Sequence, residues 1–183
     1  MKITVISDTH GSLSGWESAH FLISVSKSVI HCGDILNHGP GNPLPEGYNP
    51  KALLNTLNGL GKQVLPVKGN CDSEVDQNML AHPLSYPFLF IQLGDIRLLA
   101  SHGHLWGKEE MVSISEKWSI NILITGHTHQ WKIEKHAGFT WLNPGSPSLP
   151  KNGPSAALID TEKSVISVYN LKTREILDES PFN

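Results

Sequence analysis

Five short apolar runs along this chain each stop at a metal-ligating type of residue with glycine close by. "KITVIS" runs into Asp8-Thr9-His10-Gly11, "SVIHC" into Gly33-Asp34, "KQVLPVK" into Gly69-Asn70, "RLLAS" into His102-Gly103, and "INILIT" into Gly126-His127-Thr128-His129. Short apolar runs bounded by turn residues read as buried strands. Glycine beside a strand end permits a tight turn and close backbone approach to a ligand. In an open α/β sheet, sites form in the crevice beyond the carboxyl ends of the strands. The pattern therefore predicts a sheet-based fold that gathers two aspartates, one asparagine and four histidines at one edge.

The connecting segments set the fold class. "SLSGWESAHFLISVSKS" carries Trp16, Ala19, Leu22, Ile23 and Ser26 near helical spacing, with Ser12 or Ser14 as cap. Asn49-Pro50 supplies an N-cap and a first-turn proline for a helix to about Leu60, stopped by Gly61. Between them Leu36 to Pro50 is a long loop rich in Gly and Pro. Pro66 makes the third run an edge or irregular strand. "FLFIQLGDIRLLASHG" reads as a hairpin turning at Gly94-Asp95, and "MVSISEKWS" as a helix. From Trp131 onward, apolar stretches turning at Ala137-Gly138 and at Asp160 to Lys163 read as an antiparallel meander. The expectation is an α/β or α+β chain, with two packed β-sheets flanked by helices, forming one domain over residues 1–183.

Composition excludes several classes. At 39% hydrophobic and 17% charged residues there is enough apolar material for a sizeable core. A net charge of −3 leaves no basic footprint, so nucleic acid is not expected as a partner. Two cysteines make no disulfide framework and suit a reduced, cytoplasmic setting. "MKITVISD" is too short an apolar run for a signal peptide, and no run reaches membrane-spanning length.

Carboxylate, carboxamide and imidazole without thiolate clusters suit divalent Mn, Fe, Co or Zn. Seven such groups exceed what one structural ion uses and match two ions about 3.5–4 Å apart, bridged by a carboxylate. The ordered series Asp8-x-His10, Gly33-Asp34, Gly69-Asn70, His102 and Gly126-His127-Thr128-His129 resembles the calcineurin-like metallophosphoesterase superfamily. The stretches "GDILNHGP", "GNCDSEVD", "SHGHLWG", "GHTH" and "NPGSPSLPK" resemble in particular its small bacterial YfcE-type phosphodiesterases, over residues 1 to about 160.

The resemblance implies the two-sheet sandwich. It also implies one ion on Asp8, His10, Asp34 and His129, with Asp34 bridging to a second ion on Asn70, His102 and His127. Manganese is the first expectation, with zinc, iron or cobalt compatible. The implied reaction is in-line attack of a metal-bridging hydroxide on a small phosphodiester. A phosphomonoesterase, a nucleotide pyrophosphohydrolase and a non-catalytic protein-interaction scaffold are the competing readings, and a homo-oligomer is compatible with all.

Further residues invite roles. His104 can contact phosphate or orient a ligand, and Asn37 and His38 can line a substrate pocket. The five tryptophans read mostly as core or rim, with Trp106 the best placed of them to face substrate; Cys32 reads as buried, and Asp72 and Asp76 as caps or solvated charges. "NPGS" at 143–146 reads first as a turn joining strands, with lining the site as the second reading. Ile35, Leu36 and Asn37 stand where phosphoprotein phosphatases of the superfamily carry an arginine, which argues against that activity. Cys71 follows Asn70 where many relatives have "GNH", the histidine being proposed to protonate the leaving oxygen. A thiol is the poorer acid for that task near neutral pH, so Cys71 is expected to tune substrate choice.

Overall fold

The computed structural model describes residues 1–182. The chain opens with β1 (Lys2–Ile6), buried at every residue after Lys2, as its continuous apolar run requires. Two short helices follow, α1 (Leu13–Ser18) and α2 (His20–Val25), where the spacing predicts one. The break falls at Ala19, the C-cap of the first and N-cap of the second. Ser14, Gly15 and Ser18 are weak helix formers, so packing of Trp16, Ala19, Leu22 and Ile23 into the core decides the path. Ser12 is the α1 cap, its hydroxyl oxygen accepting the Gly15 N–H.

β2 (Ser28–His31) leads through the long loop to α3 (Pro50–Asn58). Asn49 caps α3 through the Ala52 N–H, and the helix ends at Gly59, before the Gly61 that the sequence suggested. β3 (Gln63–Pro66) is followed by α4 (Glu74–Met79), a helix with no apolar periodicity, started by a Ser73–Asp76 capping box. β4 (Leu89–Leu93) and β5 (Ile96–Ala100) form the expected hairpin. Then come α5 (Lys108–Lys117), β6 (Ile122–Ile124), β7 (Trp131–Lys135), β8 (Thr140–Pro144), β9 (Ser155–Asp160), β10 (Val165–Asn170) and β11 (Ile176–Pro181).

These strands make two mixed sheets with helices outside. One has the order β11-β10-β9-β1-β2-β3, the other β4-β5-β6-β8-β7. β1, β2 and β3 run parallel in the first, and β5, β6 and β8 in the second. The C-terminal strands are therefore not one meander. β7 and β8 close the second sheet as a hairpin, and the segment after Pro144 carries the chain back so that β9 lies against β1. Burial drives this exchange, because β9 is buried at all six residues and needs covered faces on both sides.

The central layer packs Ile3, Val5, Ile30, Leu98, Ile122, Ile124, Leu142 and Ile159 between the sheets. Alternate residues on the outer faces meet helices: Ile6 and Val29 lie with α1, α2 and α3, and Leu99 and Leu123 with Met111 of α5. Leu98 is wholly buried in the central layer. Leu98→Ala is expected to cost about 2–5 kcal/mol of unfolding free energy through lost burial and the cavity left behind. Urea denaturation checks this, and a loss well below 1 kcal/mol would contradict tight packing between the sheets.

Candidate metal centre

The two sheets bring the ends of their parallel strands together. Asp8 and His10 follow β1, Asp34 follows β2 and Asn70 follows β3 in the first sheet; His102 follows β5 and His127 and His129 follow β6 in the second. The sequence pattern suggested one sheet edge. The structure instead places the residues across the ends of two stacked sheets, where side chains can face each other.

Backbone conformation aims them. Asp8, His10, Asp34, His127 and His129 all have φ between 46° and 67°. That left-handed conformation costs a non-glycine residue roughly 1–2 kcal/mol, and clusters of such residues mark functional sites. Cross-loop hydrogen bonds hold it: Asp8 N–H donates to the Gly33 carbonyl at 3.0 Å and His10 N–H to the Asp34 carbonyl at 2.9 Å. The His127 N–H donates to Asp8 Oδ2 at 3.0 Å and the Cys71 N–H to Asp34 Oδ1 at 2.8 Å.

Three imidazoles are then oriented in the same way. Nδ1 of His10 lies 2.8 Å from the Asn37 carbonyl, Nδ1 of His129 2.8 Å from the Leu149 carbonyl, and Nδ1 of His102 2.6 Å from the Cys32 carbonyl. A carbonyl only accepts, so each Nδ1 carries the proton and each Nε2 presents its lone pair. Those lone pairs converge. His10 Nε2 is 3.2 Å from His129 Nε2, and His129 Nε2 is 3.4 Å from Asp8 Oδ1. His102 Nε2 is 3.4 Å from Asp34 Oδ2 and 3.0 Å from Asn70 Oδ1. Asp8 Oδ1 is fully buried and has no hydrogen-bond partner.

Converging lone pairs beside an unpartnered buried carboxylate oxygen favour positive charge between them, whether protons or a cation. Asp8, His10 and His129 form one group whose ligand atoms all lie within 4.8 Å of one another, and Asp8, Asp34 and His102 form a second. The donor set thus fits divalent ions. His127 stands beside the second group with its ring centroid 5.1 Å from that of His102, and both His127 and Asn70 are exposed. The centre is closed on the Asp8 side and open on the Asn70 and His127 side.

Charge states follow from this crowding. Burial works against ionisation of Asp34, but His102 and the Cys71 N–H hold its carboxyl well below the usual range. Burial lowers His10 and His127. Burial also opposes charging of His102, yet Asp34 and Asp8 outweigh it and raise its pKa to about 9. Burial and then the Asp34 charge push the Cys71 thiol up to about 12, so near neutral pH it is neither a thiolate nucleophile nor a ready acid.

The other sequence candidates are placed as follows. His104 is half-buried, its ring 5.2 Å from that of His102 and 6.0 Å from that of His127, with a buried, unpartnered Nδ1. The Cys71 sulfur falls in a third close group with His10 and Asp34, at the mouth of the centre. Asn37 takes part through its carbonyl, while its side chain is exposed. His38 packs edge-on to Tyr48 with ring centroids 5.6 Å apart. Trp106 stacks one ring face on Phe88, with centroids 4.4 Å apart. Cys32 is buried, as expected.

Three supporting roles escaped the sequence reading. Asp72 is buried and accepts three main-chain N–H groups; it is neither a helix cap nor a solvated charge. "NPGS" is more than a turn: Asn143 donates to the Gly126 carbonyl and Thr128 Oγ1, and Ser146 Oγ donates to the Asp8 carbonyl. Thr9 is held by His31 and the Ile35 carbonyl, and Ser148 Oγ donates to the Thr9 carbonyl. The available signal was small polar residues beside ligand positions, which composition cannot separate from ordinary turns.

Comparison with known proteins agrees with this fold. The calcineurin-like phosphoesterase superfamily domain matches residues 1–164. The chain belongs to that superfamily. Phosphodiesterase YfcE of Escherichia coli K12 is 38% identical over 185 residues, covering all of this chain and 99% of YfcE. The solved structure of that phosphoesterase superposes with a TM-score of 0.87 over 100% of both chains. Probable metallophosphoesterase YsnB of Bacillus subtilis is 27% identical, covering 97% of this chain and 96% of YsnB. A single-substitution variant of Vps29 from Entamoeba histolytica is 25% identical with a TM-score of 0.71 over 100% of both chains. This member of the calcineurin-like superfamily is a hydrolase.

A cation held at His102 would compete with a proton for the same lone pair, because Asp34 and Asp8 raise its pKa to about 9. Loading the cation-free protein at pH 7 should therefore release protons, and affinity should rise with pH up to about pH 9. Calorimetry in buffers of different ionisation enthalpy measures the release. A buffer-independent heat with pH-independent affinity would contradict the arrangement.

Proposed function

We propose that this protein hydrolyses small phosphodiesters with two divalent ions. The observation that carries the reading is the convergence of His10, His129 and His102 Nε2 on Asp8 and Asp34. Asp8, His10, Asp34 and His129 would hold one ion; Asp34, Asn70, His102 and His127 would hold the other. When bound, the ions supply a hydroxide nucleophile near neutral pH and neutralise charge on the phosphate oxygens. Manganese is the metal to try first.

The chain's own residues would divide the remaining work. Asp34, kept ionised by its neighbours, holds Oδ2 3.8 Å from His10 Nε2 and 3.4 Å from His102 Nε2, between the two sides of the cluster. The exposed Asn70 and His127 side is where a phosphate can enter, with His104 beside it. Cys71 puts a weakly acidic thiol, and not an imidazole, at the mouth of the centre, which favours esters with good leaving groups. The relative at 38% identity is named a phosphodiesterase, which supports diesters over monoesters. No helix among the described residues is long and apolar enough to cross a membrane, and both cysteines are free, which suits a reduced compartment.

A non-catalytic protein-interaction scaffold is the competing reading. Turnover decides between them. The metal-stripped protein should regain hydrolysis of an aryl phosphodiester, faster than of the matching monoester, when Mn, Zn, Co or Mg is returned. No metal-dependent turnover of either ester would sink the enzyme reading.

Asp34→Asn should lose both turnover and at least one metal equivalent, as measured by elemental analysis beside the assay; retained activity would refute its bridging role. Cys71→His should raise turnover of alkyl diesters by up to about 100-fold and change aryl diesters little. Gly39 lies against the Cys71 sulfur, so the loop at 38–42 must yield for the larger ring. An unchanged alkyl-to-aryl ratio would reduce Cys71 to a wall residue.

A further inference from the structure

The loops after β2 and β3 pass in van der Waals contact. A Cβ placed on Gly33, whose φ is +94°, would lie 2.7 Å from the Gly69 nitrogen and 2.8 Å from its Cα. Backbone contact alone gives no directional hold, because the two loops share no main-chain hydrogen bond among those described around Asp34 and Gly69. The hold comes from Asp72. Its Oδ2 accepts the Asp34 N–H and the Gly69 N–H, each at 2.8 Å, and its Oδ1 accepts the Ile35 N–H at 2.8 Å. Asp34 returns the contact, its Oδ1 accepting the Cys71 N–H at 2.8 Å.

The geometry points to Asp72 as the positioning residue that sets Asp34 and Asn70 for metal binding. Three short hydrogen bonds to carboxylates cross-link the two loops, and a fourth, from the Gly69 N–H to Asp72, closes the loop after β3 on itself. Charge-assisted bonds of this kind are about twice as strong as neutral ones. They hold Asp34 at its left-handed φ of 55° and carry Asn70, which lies between Gly69 and Cys71, to the same edge. Asp72 touches neither substrate nor ion; it acts through Asp34 and Asn70. An asparagine there keeps the size but offers one oxygen. Its NH2 group would face the Ile35 N–H or the pair from Asp34 and Gly69.

This inference rests on the metal-centre reading, and the test separates the two. Mn is titrated calorimetrically into the metal-stripped full chain, unsubstituted and as Asp72→Asn and Ser73→Ala. Ser73→Ala removes the α4 cap without touching the three amides. Asp72→Asn should weaken Mn binding about 10–100-fold and raise the Mn needed for half-maximal aryl diester hydrolysis by the same factor. Its turnover at saturating Mn should return to within a few-fold. Ser73→Ala should lower thermal stability and leave Mn affinity unchanged.

Unaltered Mn affinity in Asp72→Asn overturns the role of Asp72 alone. An unsubstituted chain that takes up no Mn overturns the metal centre, and the inference with it. Should Asp72→Asn fail to fold, amide exchange in the unsubstituted, metal-free protein decides. Slow exchange at Asp34, Ile35 and Gly69 supports the clamp, and exchange at open-loop rates overturns it.

Discussion

Three histidine nitrogens and two aspartates are held with lone pairs facing one another, and most of the surrounding structure serves that arrangement. His10, His102 and His129 each anchor Nδ1 on a backbone carbonyl, which leaves Nε2 with no proton to share. Such a cluster is repulsive unless a cation or protons fill it. The raised pKa of His102, about 9, shows the pull of the carboxylates on any available positive charge. Divalent ions would relieve that repulsion and would neutralise charge on a phosphate ester.

Holding such a cluster has a cost in backbone strain, and the fold offsets it locally. Five of the proposed ligands are left-handed, at roughly 1–2 kcal/mol each. The loops that carry them are tied by main-chain bonds from Asp8 and His10, by Ser146 and Asn143 from the segment after β8, and by Asp72 from the loop after β3. The dense layer between the sheets supplies rigid strand ends for these ties. Rigid elements bearing a strained cluster give a site whose geometry does not depend on ligand arrival.

Much of this was legible before any coordinates. Apolar runs of strand length fixed β1, β2, β3, β5 and β6, and residues that end such runs must lie at strand ends. Asn49-Pro50 and Gly94-Asp95 marked a helix start and a hairpin through chemistry that few other residues supply. Other features carried no such signal. α4 is short and buries little, so no periodicity announced it. The helix break at Ala19 depends on packing, and Trp106 reads as a rim residue until Phe88 is found lying against it.

The sequence by itself determined the donor chemistry and the strand ends that bear it, because burial pattern and side-chain type are local properties. Only the tertiary structure decided which donors meet. Sheet order places β9 beside β1 and β5 beside β6, and this stacks two sets of strand ends that lie far apart in the chain. It also decided that Asp72, two residues from a proposed ligand, turns inward to bind backbone. An aspartate in a loop has the same local preferences in water and over an amide cluster. Only neighbours brought from 37 and 38 residues away distinguish the two.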